Sequence, residues 1–321
     1  MPSSRRALLQ AALIAGAGTP LGVASNARAA TSARPAAAAA PASSGWSGCE
    51  PRYLGYREAD QARPYASFFT GHTAAPQAQV ASARAAAPLA ADGIPPFSAI
   101  TRDLGPTGYS RVETGYGQTR DGVVWVAVLT RMPRVTAAMW DWWFGWHSIE
   151  SARYKLWHPD AHAFCALEED RTTTPGLTDR ERYVDNVSYV DEYVGDRMEN
   201  LAIAFQDPMR HGFAVPSGHT VVFGRVGTSV APVDLGWLAH QVRPVAGGAE
   251  MRSRFYLNVP GLHDFNAGQA VCAFSRGALD TLTQPLPLPL SFGRDLLLHC
   301  GQEMNHLARF LPELYARFAH R

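Results

Sequence analysis

FGRDLLLHCGQEMNHLARFLPELYARF, residues 292–318, carries apolar side chains at Leu296, Leu297, Cys300, Met304, Leu307, Phe310, Leu311, Leu314 and Phe318. That spacing follows the period of an amphipathic helix with one buried face. Pro312 lacks the N–H needed to continue the helical ladder and predicts a kink. A helix this long at the end of a chain needs a surface to bury its stripe against, and the sequence before it supplies strands.

Val123-Val124-Trp125-Val126-Ala127-Val128-Leu129 is a β-branched run bounded by Asp121-Gly122 and Pro133, the pattern of a fully buried strand. Thr136 to Trp146 then reads as a helix capped by Thr136, and Ser148 to Trp157 as a second short helix. After the Thr172–Gly176 loop come strand-like runs at Tyr183–Val194, Glu199–Phe205, Thr220–Val226, Trp237–Val242 and Glu250–Val259, the last entered through the Gly247-Gly248 turn. The order strand, two short helices, about five strands, long helix describes an α+β fold, a curved antiparallel sheet around a C-terminal helix. A cavity between sheet and helix follows from that architecture.

Upstream the chain reads differently. Ser4-Arg5-Arg6-Ala7-Leu8-Leu9-Gln10, the mildly apolar run Ala11–Ala24 and Ala27-Arg28-Ala29 resemble a twin-arginine export signal over residues 1–29. The expected location is periplasmic or secreted, or cytoplasmic if the signal does not function. Residues 30–44 form an Ala/Pro/Ser linker, 45–115 a turn-rich N-terminal extension with a short helix expected within Ala74–Ala91, and 116–321 the main folded domain. The apolar run is too short and glycine-broken to span a bilayer. With 29 Lys+Arg against 28 Asp+Glu and a net charge of +1, no field or basic cluster attracts nucleic acid. Cys49, Cys165, Cys272 and Cys300 match no metal knuckle and are expected to be mostly buried thiols.

The chemistry concentrates in three places. MWDWWFGWHSIESARYKLWHPDAH, residues 139–162, holds five of eight tryptophans and three of eleven histidines and reads as an aromatic cavity wall. Its His158 and His162 share a face if the segment is helical, for metal or proton chemistry, or else they brace a turn around Pro159. On the last helix His299 and Glu303 are four residues apart beside the apolar stripe, suited to two metal ligands or to a hydrogen bond at the core edge, and His306 lies one turn on. In Ser188–Val194 the two-residue period puts Val190, Glu192 and Val194 on one face. If that face lines the cavity, Glu192 needs a cation or donor, Arg182 or Arg197 being the ordinary partners. His240 sits mid-strand, as either a cavity group or a core histidine. No P-loop, GxGxxG, HExxH or G-x-S-x-G pattern occurs.

WWFGWHSIESARYKLWHPDAH, NVSYVDEYVG, EMRSRFYLN and LLLHCGQEMNHLARFLPELY, in this order, resemble the successive blocks of the 2,4-diacetylphloroglucinol and phloretin hydrolases. The resemblance implies a Bet v 1-like helix-grip domain and a zinc ion bound by His162, Glu192, His299 and Glu303, with His158 the alternative to His162. It implies hydrolysis of the carbon–carbon bond between an acyl group and a phenolic ring. Tyr154 matches a tyrosine that hydrogen-bonds a ring hydroxyl, His240 a cavity histidine and, more weakly, Tyr256 another substrate contact. Tyr154 and His240 are then the catalytic candidates, while Trp143 and Trp146 would enclose the ring of a small aromatic ketone. A non-catalytic helix-grip carrier of hydrophobic molecules, or a zinc hydrolase of another ketone or ester, are the alternatives. A carrier predicts that the four ligand candidates do not converge. A homodimer is left open.

Overall fold

A computed structural model describes residues 49–284 and 286–319; the expected signal and the linker lie outside the described residues. In chain order the elements are α1 (Ala78–Ala85), α2 (Ile100–Asp103), β1 (Gly115–Gln118), β2 (Val124–Pro133), α3 (Ala137–His147), α4 (Ser151–Tyr154), β3 (His162–Leu167) and α5 (Asp179–Tyr183). There follow β4 (Val187–Val194), β5 (Arg197–Gln206), β6 (Thr220–Thr228), β7 (Val233–Val245), β8 (Gly248–Leu262), α6 (Ala267–Ser275), α7 (Leu279–Thr283), α8 (Leu290–Ala308) and α9 (Leu311–Phe318).

The eight strands form one antiparallel sheet in the order β1-β2-β8-β7-β6-β5-β4-β3. From β3 onward each strand pairs with the next in sequence, and β2 pairs with β8 across the length of the domain. α3 and α4 bridge β2 to β3, and α8 packs against β2. This is the helix-grip arrangement: a sheet around a long C-terminal helix.

The continuous apolar run of β2 is explained by burial on both faces. Val124, Val126 and Val128 belong to the main core beneath α8, whereas Trp125 and Ala127 belong to a second cluster with Ile94, Ile100, Leu104, Val221 and Phe223. The N-terminal extension therefore covers the outer face of the sheet. It also guards the exposed edge, since Tyr53 donates its N–H to the Ala163 carbonyl of β3 at 3.1 Å. Two helical glycines permit close packing. A Cβ on Gly293 would meet Val124 Cγ1 at 2.6 Å, and one on Gly301 would meet Val80 Cγ1 of α1 at 2.6 Å.

Several expectations need correction. The C-terminal helix is not one kinked rod but two helices. A proline at 312 would drive its ring into the carbonyl four residues back, and α8 ends there, at Ala308. Pro312 instead occupies the first turn of α9, where no N–H is needed. Thr136 caps α3 as expected, its hydroxyl accepting from Met139 N at 3.4 Å. The second helix shrinks to Ser151–Tyr154, because Leu156 and Trp157 make tight i–3 bonds instead. Tyr183 ends the short helix α5, opened by a Thr178–Glu181 capping box, and the strand starts only at Val187. The sheet has two strands the pattern did not show: β1 is only four residues, and β3 lacks clear alternation. α6 and α7 were also unread. Cys165 and Cys300 are buried thiols, but Cys49 and Cys272 are disulfide-bonded, so half of the thiol expectation fails.

Candidate metal centre

His158 and His162 do not share a helix face. The chain turns between them, with the His158 carbonyl accepting from both Ala161 N and His162 N, and His162 opens β3. Strand register then decides the geometry: His162 lies directly across from Glu192 on β4, and Glu192 directly across from Glu199 on β5. A bulge follows His162. From the other side α8 presents His299 and Glu303, one turn apart.

The four side chains converge in a buried volume. His162 Nε2 is 3.7 Å from Glu192 Oε2 and 3.5 Å from Glu303 Oε2. His299 Nε2 is 3.9 Å from Glu192 Oε1 and 3.8 Å from Glu303 Oε2. One ligand atom each from His162, Glu192 and His299 fall within 4.8 Å of one another. These separations are too long for hydrogen bonds and are right for lone pairs facing a common point.

The tautomers support that orientation. His162 Nδ1 lies 3.0 Å from the Tyr154 carbonyl, which can only accept, so Nε2 carries the inward lone pair. That Nε2 is buried with no hydrogen-bond partner. His299 is likewise hydrogen-bonded to the backbone of Tyr193. Burial pushes His162 well below the usual imidazole range and lowers His299, keeping both neutral. Burial, with Glu192 nearby, pushes Glu303 well above the carboxylate range. Two neutral imidazoles, one with an unbonded nitrogen, and two carboxyl groups are a donor set that a divalent cation would complete.

Tyr154 stacks on His162, with ring centroids 3.7 Å apart and planes at 5°, and its hydroxyl donates to Glu192 Oε2. Burial and then Glu192 raise its pKa far above that of free tyrosine, so the proton stays. Neither Arg182 nor Arg197 is the partner of Glu192: Arg197 pairs with Glu199, and Arg182 with Asp179 and loop carbonyls. His158 is not among the three grouped ligands. Its Nδ1 is held 2.8 Å from Thr73 Oγ1 of the extension, and its ring stacks on His299 at 4.8 Å. His306 lies outside the site, clamped by Thr70 Oγ1 and Ala74 N.

Beyond this centre a cavity opens between sheet and α8, lined by Val190, Leu201, Phe205, Leu238, Phe255, Leu257, Phe292 and Leu296, with Tyr154, His240, Glu192, His299 and Glu303 among its polar groups. His240 is buried, with Nδ1 2.8 Å from Ser253 Oγ, and burial lowers its pKa to about 3.

Three expected substrate contacts do not reach the cavity. Tyr256 falls between Phe255 and Leu257 in β8, so the two-residue alternation turns it onto the outer face, against Trp125 and Phe97. Trp143 lies behind the cavity wall, stacked on His147 at 4.6 Å, and Trp146 packs on Tyr65 and Phe318. The same helix sends Phe144 and His147 to the cavity instead, joined by Trp157. The aromatic wall was legible from composition; which of its rings point inward was not. Glu199 was missed, although it is in phase with Leu201, Ile203 and Phe205, and an acid in step with an apolar face was a readable signal.

Residues 94–316 match the family model described as DAPG hydrolase PhiG domain. The chain is 29% identical over 283 residues to a 2,4-diacetylphloroglucinol hydrolase of a Pseudomonas species, covering 83% of this chain and 92% of that protein. It is 28% identical to the enzyme of the same name from Pseudomonas protegens, over 83% of this chain and 88% of that protein. A phloretin hydrolase of Eubacterium ramulus is 27% identical over 270 residues, 82% of this chain and 93% of that protein. The crystal structure of Ara h 8.0201 aligns with 60% of this chain and 99% of that one, at 9% identity and a TM-score of 0.35.

Proposed function

Since the chain belongs to the DAPG hydrolase PhiG domain family, we propose that it is a zinc-dependent hydrolase that splits the carbon–carbon bond between an acyl group and a phenolic ring, in acylphloroglucinol-like aryl ketones. The observation that carries the metal part is the convergence of His162, Glu192, His299 and Glu303 on an unbonded, buried His162 Nε2. That convergence also argues against a carrier without chemistry. Nitrogen and carboxylate donors in this ratio favour zinc over the hard, all-oxygen cations. Bound there, such an ion would supply the charge that polarises a ketone oxygen and makes water a nucleophile near neutral pH.

The residues supply the rest. Overall, water adds across the aryl–acyl bond: its oxygen and one proton end in a carboxylic acid, and the other proton ends on the ring carbon. Expelling a bare aryl anion would be prohibitively slow. A ring with ortho or para hydroxyls instead takes the proton at the acyl-bearing carbon as its keto tautomer, and the bond breaks as aromaticity returns. Tyr154 keeps its proton and donates it to Glu192, holding that carboxylate in place, while its hydroxyl oxygen accepts from a ring hydroxyl. His240, neutral and oriented by Ser253, is the second proton carrier on the cavity wall. The apolar lining excludes water from the ring and takes up the acyl chain.

Purified protein should contain about one zinc per chain, the complement of a single four-ligand site. It should release a free acid from one or more members of an acylphenol panel. His299→Ala and Glu303→Ala should lose metal and turnover together. Full activity in a metal-free preparation would sink the proposal. Export is proposed separately from Arg5-Arg6. An Arg5→Lys/Arg6→Lys chain retained inside cells that export the natural chain would support it, and unchanged export would refute it.

A further inference from the structure

Glu199 is a second carboxylate on the cavity wall, outside the set of ligand candidates. Its side chain is 3% exposed and lines the same cavity, in line with Leu201, Ile203 and Phe205. One oxygen is occupied: Arg197 Nε donates to Oε1 at 3.0 Å, while the Arg197 guanidinium rests on the Phe292 ring at 5.3 Å. Among the described residues the one hydrogen bond to this carboxylate is that from Arg197. A carboxylate placed in an apolar cavity with half its acceptor capacity unused is costly unless a ligand completes it. Arg197 alone does not explain the burial, because its side chain is 22% exposed and reaches solvent without a buried partner.

Position says what kind of donor would fit. Glu199 is the direct cross-strand neighbour of Glu192, and paired strands lie about 4.8 Å apart. Two hydroxyl oxygens in a 1,3 relation on a benzene ring have the same separation. We propose that Glu199 is a specificity-determining residue that accepts a hydrogen bond from a ring hydroxyl lying 1,3 to the oxygen held at the Glu192 end, so that the cavity selects meta-dihydroxylated rings. The inference rests on the aryl-ketone reading above and adds the recognition element within it. Glu199 touches the substrate ring and leaves the metal ligands alone.

The test is binding of acyl-free rings, followed by quenching of tryptophan fluorescence, with turnover measured in parallel. The natural protein should bind resorcinol more tightly than phenol by about 10-fold or more, the value of one hydrogen bond to a charged acceptor. Glu199→Leu should bring that ratio close to one without changing zinc content. Should Glu199→Leu fail to fold, Glu199→Gln keeps the shape and the Arg197 contact, and it should lower the ratio. A resorcinol preference that survives in the variants, or is missing from a natural protein that cleaves acylphenols, overturns the role of Glu199 alone. A natural protein that neither binds phenolic rings nor cleaves any acylphenol overturns the aryl-ketone reading itself.

Discussion

Replacing Tyr154 with Phe removes one oxygen and leaves the ring in place. The ring is 3% exposed and stacked on His162, so the substitution changes packing little. What disappears is the donor to Glu192 Oε2, inside a cavity where water does not readily take its place. A hydrogen bond to a charged acceptor is worth about 1.5–3 kcal/mol, and at about 1.4 kcal/mol per decade this is roughly 10- to 150-fold in an equilibrium constant. If Glu192 is a ligand, the loss falls on metal affinity, where removing an outer partner weakens binding by about 10- to 100-fold. Competition against a chromophoric chelator measures that affinity, and kcat/KM on a cleaved acylphenol is read alongside. Tyr183→Phe is the control. Its hydroxyl also donates to a half-buried carboxylate, Asp141 Oδ1 at 2.8 Å, but away from the site. Tyr183→Phe should lower stability and leave zinc affinity unchanged. If Tyr154→Phe binds zinc within about twofold of the natural protein, where the outer-partner range starts near tenfold, then Tyr154 does not act through Glu192 and the placement of that carboxylate in the metal set is wrong.

Stability should fall on acidification through the histidines. His306 accepts Ala74 N–H at Nδ1 and contacts Thr70 Oγ1 through Nε2, a neutral arrangement, and burial lowers its folded-state pKa to about 4. The unfolded chain binds that proton near pH 6.5, so stability is lost as pH falls from about 6.5 to about 4. His306→Asn should shallow that slope in thermal melts, and an unchanged slope would refute the assignment. Arg276 and Asp191 form a buried pair at 2.7 Å; Arg276→Met should destabilise by about 3–5 kcal/mol in urea titration because it strands Asp191. Gly301→Val would drive a side chain into Val80 and lower the melting temperature, while Ala at the same position should do so less. Tyr256→Phe, on the outer face of the sheet, should leave KM for a cleaved acylphenol unchanged, whereas Phe255→Ala should raise it.

Much of this protein was legible in one dimension because the governing periods are local. The 3.6-residue stripe of residues 296–307 named the helix and put His299 and Glu303 on one face. The two-residue alternation of residues 188–194 named the strand and put Glu192 beside Val190. Residue types marked an aromatic wall at 139–162. Tertiary structure decided what those patterns could not, since register is a relation between distant segments. It is strand pairing, not helical spacing, that sets His162 opposite Glu192, and it needs β3, whose six residues carry too little alternation to be read. Likewise a strand pattern says that Phe255 and Tyr256 face opposite ways without saying which way is in. The answer came from the extension, which covers the outer face and leaves the inner one to the cavity. In α3, where apolar residues surround the helix, no stripe existed to choose among the tryptophans, and packing on Tyr65, His147 and Phe318 made the choice. Sequence determined most of the elements and the chemistry they carry; the site exists because long-range pairing brings the edge strand β3, its neighbour β4 and α8 to one buried point.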